Sequence, residues 1–524
     1  MPTEIRNLIP AAACFIAGAV SLALAQKVLL PPRNREKKPS RKVKHLRLVL
    51  AGFGDVGKAF ARLLLAWEAR LRDEAGLRVV VMGICTARHG SVLAAHGSRV
   101  DLSKALERAE EEGGMLDGGV IVQDGSGGGG GCSPGSVRSC YAHAFSPSEG
   151  EAFVVEAAVE IARAQQSSCG SDYVDDDHDH DHDDGALVEA IPVNYETGEP
   201  AAALLSCALR HGLHGVSANK GPVVHHRSAL LALAASASAS APASTEAAAS
   251  AGSNKQQRRP RRYLHESAVM DGVPVFNLAA RCLPLARPSK LRGCLNSTTT
   301  VVLTHMEDHP GCSFAEALAV AQAMGIAETD PSGDVDGMDA AVKLTALVRT
   351  LGSGGGSGGG EVLLIPDAFE GRGAGAGKAV GGGAEAAEVE AAEAAGSLWW
   401  AEASQGARRG VRAITSEMVA DAKRKGNQRW RLVATAELQQ QLQLQGGEEG
   451  LSGRARAGVW RLRVQPELLD ATDPLHGLTG ASSALVLHTD ALAPVTVVSS
   501  DPTTQDTAYG LLADLIEATS RLKD

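Results

Sequence analysis

The chain has 524 residues and a formal net charge of -10, with 59 glycines and only 3% aromatic residues. That length accommodates two or three compact units, and an acidic balance without a basic face argues against a nucleic-acid partner. Nine cysteines with no CxxC spacing suggest neither a zinc site nor a disulfide framework, and fit a reducing compartment.

In chain order, residues 1–45 read as a separate apolar and basic segment. Leu8 to Ala25 is uncharged and close to the roughly 20 residues that a bilayer requires. A basic run from Lys27 to Lys44 follows, with Glu36 its only acid. Three readings stay open: contact with a membrane through residues 8–25, the cytoplasmic side carrying the basic flank; a plastid or other organelle transit segment; and, least supported, a secretory signal ending at Ala23-Leu24-Ala25.

Residues 46–227 read as a dinucleotide-binding domain. Leu46–Leu50 and Leu77–Ile84 are apolar strands around a glycine turn and a helix from Val56 to Glu74. Val188–Val193 and Gly215–Ser217 are further strands, with Pro200–His211 helical between them. Strands alternating with helices imply a parallel sheet with crossover helices. Two insertions interrupt this domain, a glycine loop at 125–135 and an Asp/His tract at 167–185. The tract reads as a solvated acidic loop ahead of a weak divalent-ion binder.

Residues 228–262 are an Ala/Ser-rich low-complexity insertion. Residues 263–480 read as an α+β catalytic and dimerisation domain, itself interrupted by low-complexity sequence at 352–409 and by a glutamine tract at 439–450. Its elements are Arg292–Met306, helices at Phe314–Met324 and Asp339–Thr350, and a strand pair at Arg429–Val433 and Val459–Val464. Residues 481–524 return to the first domain and end in an amphipathic helix, Thr507–Leu522.

The first chemistry-bearing motif is Gly52-Phe53-Gly54-Asp55-Val56-Gly57, between an apolar strand and a helix. The first glycine permits a tight turn, the second admits a pyrophosphate to the backbone, and the third lets helix and strand pack closely. Phosphate charge would sit on the unpaired N–H groups at the helix N-terminus. Residues 52–57 are therefore the expected cofactor-binding turn. The fold class follows as α/β, a Rossmann-type domain with a second α+β domain. The second strand ends Gly83-Ile84-Cys85-Thr86-Ala87-Arg88-His89, with no acid for the ribose hydroxyls. Arg88 reads as a partner for the 2′-phosphate of NADP, or as an ordinary loop arginine. NADP is the preferred cofactor and NAD the alternative.

Three more motifs follow: Val216-Ser217-Ala218-Asn219-Lys220-Gly221-Pro222, His265-Glu266-Ser267-Ala268-Val269-Met270-Asp271-Gly272, and Ala327-Glu328-Thr329-Asp330-Pro331-Ser332-Gly333-Asp334-Val335-Asp336-Gly337-Met338-Asp339 through Lys343. Asp339 and Lys343 stand four apart, on one helix face. As a surface pair they would contribute little. Crowding of Glu328, Asp330, Asp334 and Asp336 beside them implies a cationic ligand, since packed carboxylates repel one another. A zwitterionic amino acid would supply the ammonium group.

Together these stretches resemble the homoserine dehydrogenase family, from about Leu46 to the end once insertions are discounted. The resemblance implies NAD(P)H-dependent reduction of L-aspartate 4-semialdehyde to L-homoserine, in the pathway to threonine, methionine and isoleucine, by a homodimer acting on a small-molecule substrate. It implies Lys343, Lys220 and Asp339 as catalytic residues, and Glu328, Asp334 and Lys220 at the substrate. It places Asn219 and Lys220 among the cofactor-binding residues. Glu266, with backbone at Val269 and Asp271, matches a segment that holds a monovalent cation in some members. A capped-loop glutamate is the alternative.

Two stretches depart from the family pattern. Asn296-Ser297-Thr298-Thr299-Thr300 puts Ser297 where a glycine is usual and Thr300 where an amide is usual. Ser499 to Gln505 replaces a glycine-rich loop. A related NADP-dependent reductase of another semialdehyde, or a degenerate membrane-tethered binding protein, are the competing expectations. Regulation by threonine through an appended domain is not expected.

Overall fold

Strand β1 (Lys44–Ala51) is apolar in both directions: Leu46, Leu48 and Leu50 enter one core, Val49 and Ala51 another. A strand buried on both faces belongs inside a parallel sheet covered by helices, and that is where β1 lies. The computed structural model describes residues 43–123 except 88, 96, 112, 113, 115 and 117, together with 147–168, 184–236, 260–352, 362–366, 410–443 and 456–520. From Lys44 onward these residues form one compact unit.

Helix α1 (Asp55–Arg70) leads to β2 (Leu77–Cys85), β3 (Ser91–Leu93) and β4 (Ser98–Val100). Helix α2 (Leu102–Glu110), β5 (Ile121–Gln123) and α3 (Pro147–Ser168) follow. Then come β6 (Asp184–Glu189), α4 (Ala201–Arg210), β7 (His214–Ser217), α5 (Lys220–Ser236) and β8 (Tyr263–Leu264). The first sheet runs β3-β2-β1-β6-β7-β8, and only the β2–β3 pairing is antiparallel.

The second sheet is built from β9 (Pro288–Cys294), β10 (Val362–Pro366), β11 (Arg429–Gln443), β12 (Arg456–Leu469), β13 (Ser483–Thr489) and β14 (Val495–Ser499), in the order β10-β12-β11-β9-β13-β14. All its pairings are antiparallel apart from β10–β12. Its helices are α6 (Ser297–Asp308), α7 (Phe314–Ala323), α8 (Met338–Leu351) and α9 (Ser416–Arg424). Leu344, Leu347 and Val348 of α8 share a core with Trp460 and Leu462 of β12. The closing helix α10 (Thr504–Thr519) returns to the first sheet, where Leu511, Leu512 and Leu515 join the core of Leu46 and Phe60.

Four expected boundaries differ. Helix α5 runs through Ser228 to Ser236 with Leu230 and Ala234 buried, because an alanine- and leucine-rich run is a strong helix former as well as low in complexity. β10 lies inside the 352–409 stretch and pairs along β12. The glutamine tract begins as the end of β11. Residues 483–499 belong to the second sheet, so the return to the first domain starts only at α10. The 125–135 loop and residues 175–183 of the Asp/His tract lie outside the described residues, as do residues 8–25, while Asp184 opens β6. Among the described residues no helix is long and apolar enough to cross a membrane.

Candidate active site

Gly52 N donates to Cys85 O at 2.8 Å, Ala190 N to Ala51 O at 2.8 Å, and Ala218 N to Glu189 O at 3.0 Å. The carboxyl ends of β1, β2, β6 and β7 are thereby tied side by side. Open α/β sheets bind ligands outside those ends, where the strand order reverses. The reversal falls between β1 and β6, and a cavity of about 220 Å³ opens there. Val56 comes to it from the glycine turn, Ala190 and Ile191 from beyond β6, and Ala218 and Lys220 from beyond β7. Ser267, Ala268, Met270, Asp271, Lys343 and Thr507 complete the lining.

The glycines of the turn have separate reasons. Gly52 has φ +99°, and a Cβ there would strike the Ala190 carbonyl. A Cβ at Gly57 would lie 2.6 Å from the Gly52 carbonyl oxygen. Gly54 has an ordinary φ of -77°, and its Cβ would meet nothing within 4 Å. Neither packing nor backbone requires glycine at 54, whereas room for a pyrophosphate does. Gly54 also begins α1 without a side-chain cap, leaving the first N–H groups for an anion. The turn therefore fits a dinucleotide. The side chain of Phe53 is buried in the core, so only its backbone faces the turn, and Asp55 is exposed at the helix start.

Lys220 opens α5, and Asp339 and Lys343 sit one turn apart at the start of α8. Packing of α8 on α5 brings them together. Asp339 Oδ1 lies 3.0 Å from Lys220 Nζ, and Oδ2 lies 2.9 Å from Lys343 Nζ. Lys343 Nζ also donates to Leu295 O at 2.9 Å. Burial pushes the Asp339 carboxyl upward, but the two ammonium groups and the Asn296 amide outweigh it and hold the group well below the usual carboxylate range. Asn296 Nδ2 bridges Asp339 (3.1 Å) and Asp334 (2.7 Å), and Thr298 Oγ1 donates to Asp334 at 2.7 Å. Asn296 is at the same time the N-cap of α6, its Oδ1 accepting from Thr299 N. The structure thus brings Lys220, Asp339, Lys343 and Asp334 into one cluster.

The other acids of the motif have local partners. Asp330 caps the single turn Ser332–Val335 by accepting from Ser332 N at 3.1 Å, and Asp336 forms a two-point pair with Arg412. Crowding alone therefore does not demand a cationic ligand. Glu328 is exposed, while its charge and that of Asp334 are both felt at Tyr195. Ser297 lies in the first turn of α6 and is absent from the described residues with left-handed backbone, so the usual glycine is not needed here for its angles. Thr300 is buried and donates back to Asn296 O.

Glu189 was not singled out from sequence, although a lone acid ending an apolar strand is a signal. It is fully buried and accepts from Ser217 Oγ (2.5 Å), Ile191 N (2.9 Å) and Asn219 Nδ2 (3.4 Å). Asn219 Oδ1 in turn accepts from Gly221 N at 2.9 Å. The Asn219 side chain therefore braces the loop before Lys220. Burial pushes the Glu189 carboxyl up to about 7 against these hydrogen bonds. A raised pKa makes its contribution complete below the unfolded value of 4.5 and lost as pH rises through 7. Comparing wild type with Glu189→Gln cancels every other group. Between pH 4.5 and 8 the difference in unfolding free energy should move toward the variant by about 3 kcal/mol; parallel denaturation profiles would contradict this.

Glu266 is buried and accepts from Phe276 N (2.7 Å), Asn277 N (3.0 Å) and Asn277 Nδ2 (2.7 Å), with burial raising its carboxyl to about 7. Its carboxylate thus caps the turn Val275–Asn277. Met270, Asp271 and Gly272 all have positive φ, and a Cβ at Gly272 would lie 2.5 Å from Asp506 O. This bend puts Asp271 on the cavity beside Thr507. Arg88 lies outside the described residues. Among the described residues no group of three or more His, Cys, Asp or Glu is placed to hold a metal ion.

The chain is similar to known proteins in sequence and in fold. The homoserine dehydrogenase family profile matches residues 274–354 and 389–516. An NAD(+)-dependent homoserine dehydrogenase from Pseudomonas canavaninivorans is 25% identical over 472 residues, covering 90% of this chain and 95% of the relative. The chain is thus similar to homoserine dehydrogenases along most of its length. The crystal structure of a homoserine dehydrogenase from Thiobacillus denitrificans superposes with a TM-score of 0.53 at 20% identity, over 91% of this chain and 74% of that one. A hyperthermophilic archaeal homoserine dehydrogenase in complex with NADPH gives 0.51 at 20%, over 91% and 98%. These two establish the shared fold. Within it, the glycine turn and the Lys220–Asp339–Lys343 cluster face one cavity.

Proposed function

We propose that the chain interconverts L-aspartate 4-semialdehyde and L-homoserine with a nicotinamide dinucleotide. The observation that carries this is the single cavity shared by Val56 of the glycine turn and by Lys220 and Lys343. When bound, the nicotinamide supplies hydride to the aldehyde carbon, or accepts it in the reverse direction. The net reaction consumes one aldehyde, one reduced dinucleotide and one proton, and yields one alcohol and one oxidised dinucleotide.

The protein's task is to orient the aldehyde and to neutralise the oxygen that becomes an alkoxide. An ammonium group has three donors. Lys343 directs two of them at Leu295 O and Asp339, and the third is assigned to the substrate oxygen, to which it passes its proton. Lys220, on the opposite oxygen of Asp339, adds positive charge at the same point. Asp339 stays anionic and fixes both lysines. Asp334, held by Asn296 and Thr298, and Glu328 are assigned to the substrate ammonium.

NADP is the preferred cofactor in this reading, through Arg88, with NAD the alternative. For a monovalent cation the segment at Glu266 offers the backbone oxygens of Val269 and Asp271. The Glu266 carboxylate is already used as a cap, and no step is routed through a cation. Dimerisation follows from family resemblance, and an organelle destination from the basic, acid-poor segment 1–45.

The test is homoserine-dependent reduction of NADP and of NAD by the purified full chain at alkaline pH, beside Gly54→Ala. The wild type should reduce one or both cofactors. Gly54→Ala should unfold at wild-type denaturant concentration while its KM for the dinucleotide rises by about tenfold, the scale of one lost close contact. No turnover by folded wild type would refute the activity, and an unchanged KM would remove Gly54 from the dinucleotide site.

A further inference from the structure

The segment Ile191–Glu199, between β6 and α4, is fixed with unusual thoroughness for a loop. Asn194 Oδ1 accepts from Glu196 N (2.9 Å) and Thr197 N (3.0 Å), and Gly198 N donates to Asn194 O at 3.1 Å. Gly198 has φ +72°, and a Cβ there would lie 2.7 Å from the Gly221 carbonyl oxygen. A Cβ on Gly221 would lie 2.9 Å from Gly198 Cα. Two backbones therefore touch where neither residue has a side chain. Two histidines of α5 complete the attachment: the His225 ring bonds Tyr195 O (3.0 Å) and the His226 ring bonds Thr197 O (2.8 Å). The loop is seated on the first two turns of α5, the helix that begins with Lys220.

This seating places the Tyr195 ring against the Lys220 ammonium, with Nζ 5.6 Å from the ring centroid. A cation within about 6 Å of an aromatic face is attracted by the ring quadrupole. Lys220 is thus held from two sides, by Asp339 at 3.0 Å and by the ring. We propose that Tyr195 is a positioning residue of the active site, whose ring face holds the Lys220 ammonium on Asp339 and shields that pair from water. The role belongs to the ring and not to the hydroxyl. Burial and the charges of Asp339, Asp334 and Glu328 push the phenol upward, so it stays neutral.

The proposal rests on the functional reading for its kinetic consequence but not for its geometry, so the experiment has two arms on the full chain. In the first, kcat and KM for homoserine are measured for Tyr195→Phe, Tyr195→Leu and Tyr195→Met. Phe keeps the ring face and should stay near wild type. Leu and Met remove it and should lower kcat by roughly 2- to 30-fold, the range of one cation–π contact, with a smaller change in KM. In the second arm, lysine methylation followed by peptide mass spectrometry reads the reactivity of Lys220 without turnover. Lys220 should label slowly in wild type and in the Phe variant, and faster in whichever of the Leu and Met variants is folded. A Phe variant as impaired as the Leu and Met variants would overturn the proposal, as would wild-type labelling in those two. Loss of wild-type turnover with the labelling pattern intact would refute the functional reading and leave the positioning of Lys220 standing.

Discussion

Lys343→Ala should lower kcat for homoserine oxidation on the order of a thousandfold, the scale of a lost proton donor at a reacting oxygen. Lys343 is the group whose N–H is assigned to the substrate, and its other two donors go to Leu295 O and Asp339. The substitution leaves Asp339 paired with Lys220, so no carboxylate is stranded in the interior. The fold should therefore survive, and dinucleotide affinity, measured by fluorescence titration, should change by less than about threefold. Near-normal turnover would withdraw the proton-donor role. An equal loss of affinity would mean that Lys343 acts on the cofactor and not on the substrate.

Asp339→Ala should cost both activity and stability. The carboxylate is 8% exposed and is shared by two ammonium groups within 3.0 Å. Removing it leaves two half-buried cations beside each other without their common anion. Breaking a buried pair by deleting one partner costs about 3–5 kcal/mol, and here the lone partner is doubled. Turnover should fall by about a hundredfold or more as both lysines lose their shared anchor. Asp339→Asn keeps the shape and the acceptor, so it should recover part of the stability and little of the activity. Urea denaturation together with steady-state kinetics checks both. A stable, inactive Asp339→Ala would assign the residue a chemical role without the structural one.

The sequence carried those parts of the site that are set by local spacing. A glycine turn declares itself through backbone needs confined to six residues, and Asp339 and Lys343 share a face because the helix repeats. The pairing of Lys220 with Asp339 depends on α5 packing against α8, which no local period encodes. Glu189 and Tyr195 went unread for a related reason. One is an acid whose partners arrive from β7 and its following loop, and the other is a loop aromatic with no periodic neighbour. Composition misled at Ser228–Ser236, where alanine and leucine build a helix, and at Val362–Pro366, where five residues are too few to show alternation. Charge counting misled at Asp330 and Asp336, because repulsion between carboxylates is relieved by a backbone cap and by Arg412, which lies far along the chain.

Transfer of label from the nicotinamide to the aldehyde carbon follows the reaction itself. L-aspartate 4-semialdehyde is incubated with the full chain and a reduced dinucleotide deuterated at both nicotinamide C4 positions, and the product is examined by mass spectrometry and NMR. The geometry predicts homoserine carrying one deuterium on its hydroxymethyl carbon, and almost none formed by Lys343→Ala in the same time. Folded wild-type protein that yields no homoserine, or homoserine without the label, would contradict a cavity in which Lys220 and Lys343 meet a nicotinamide.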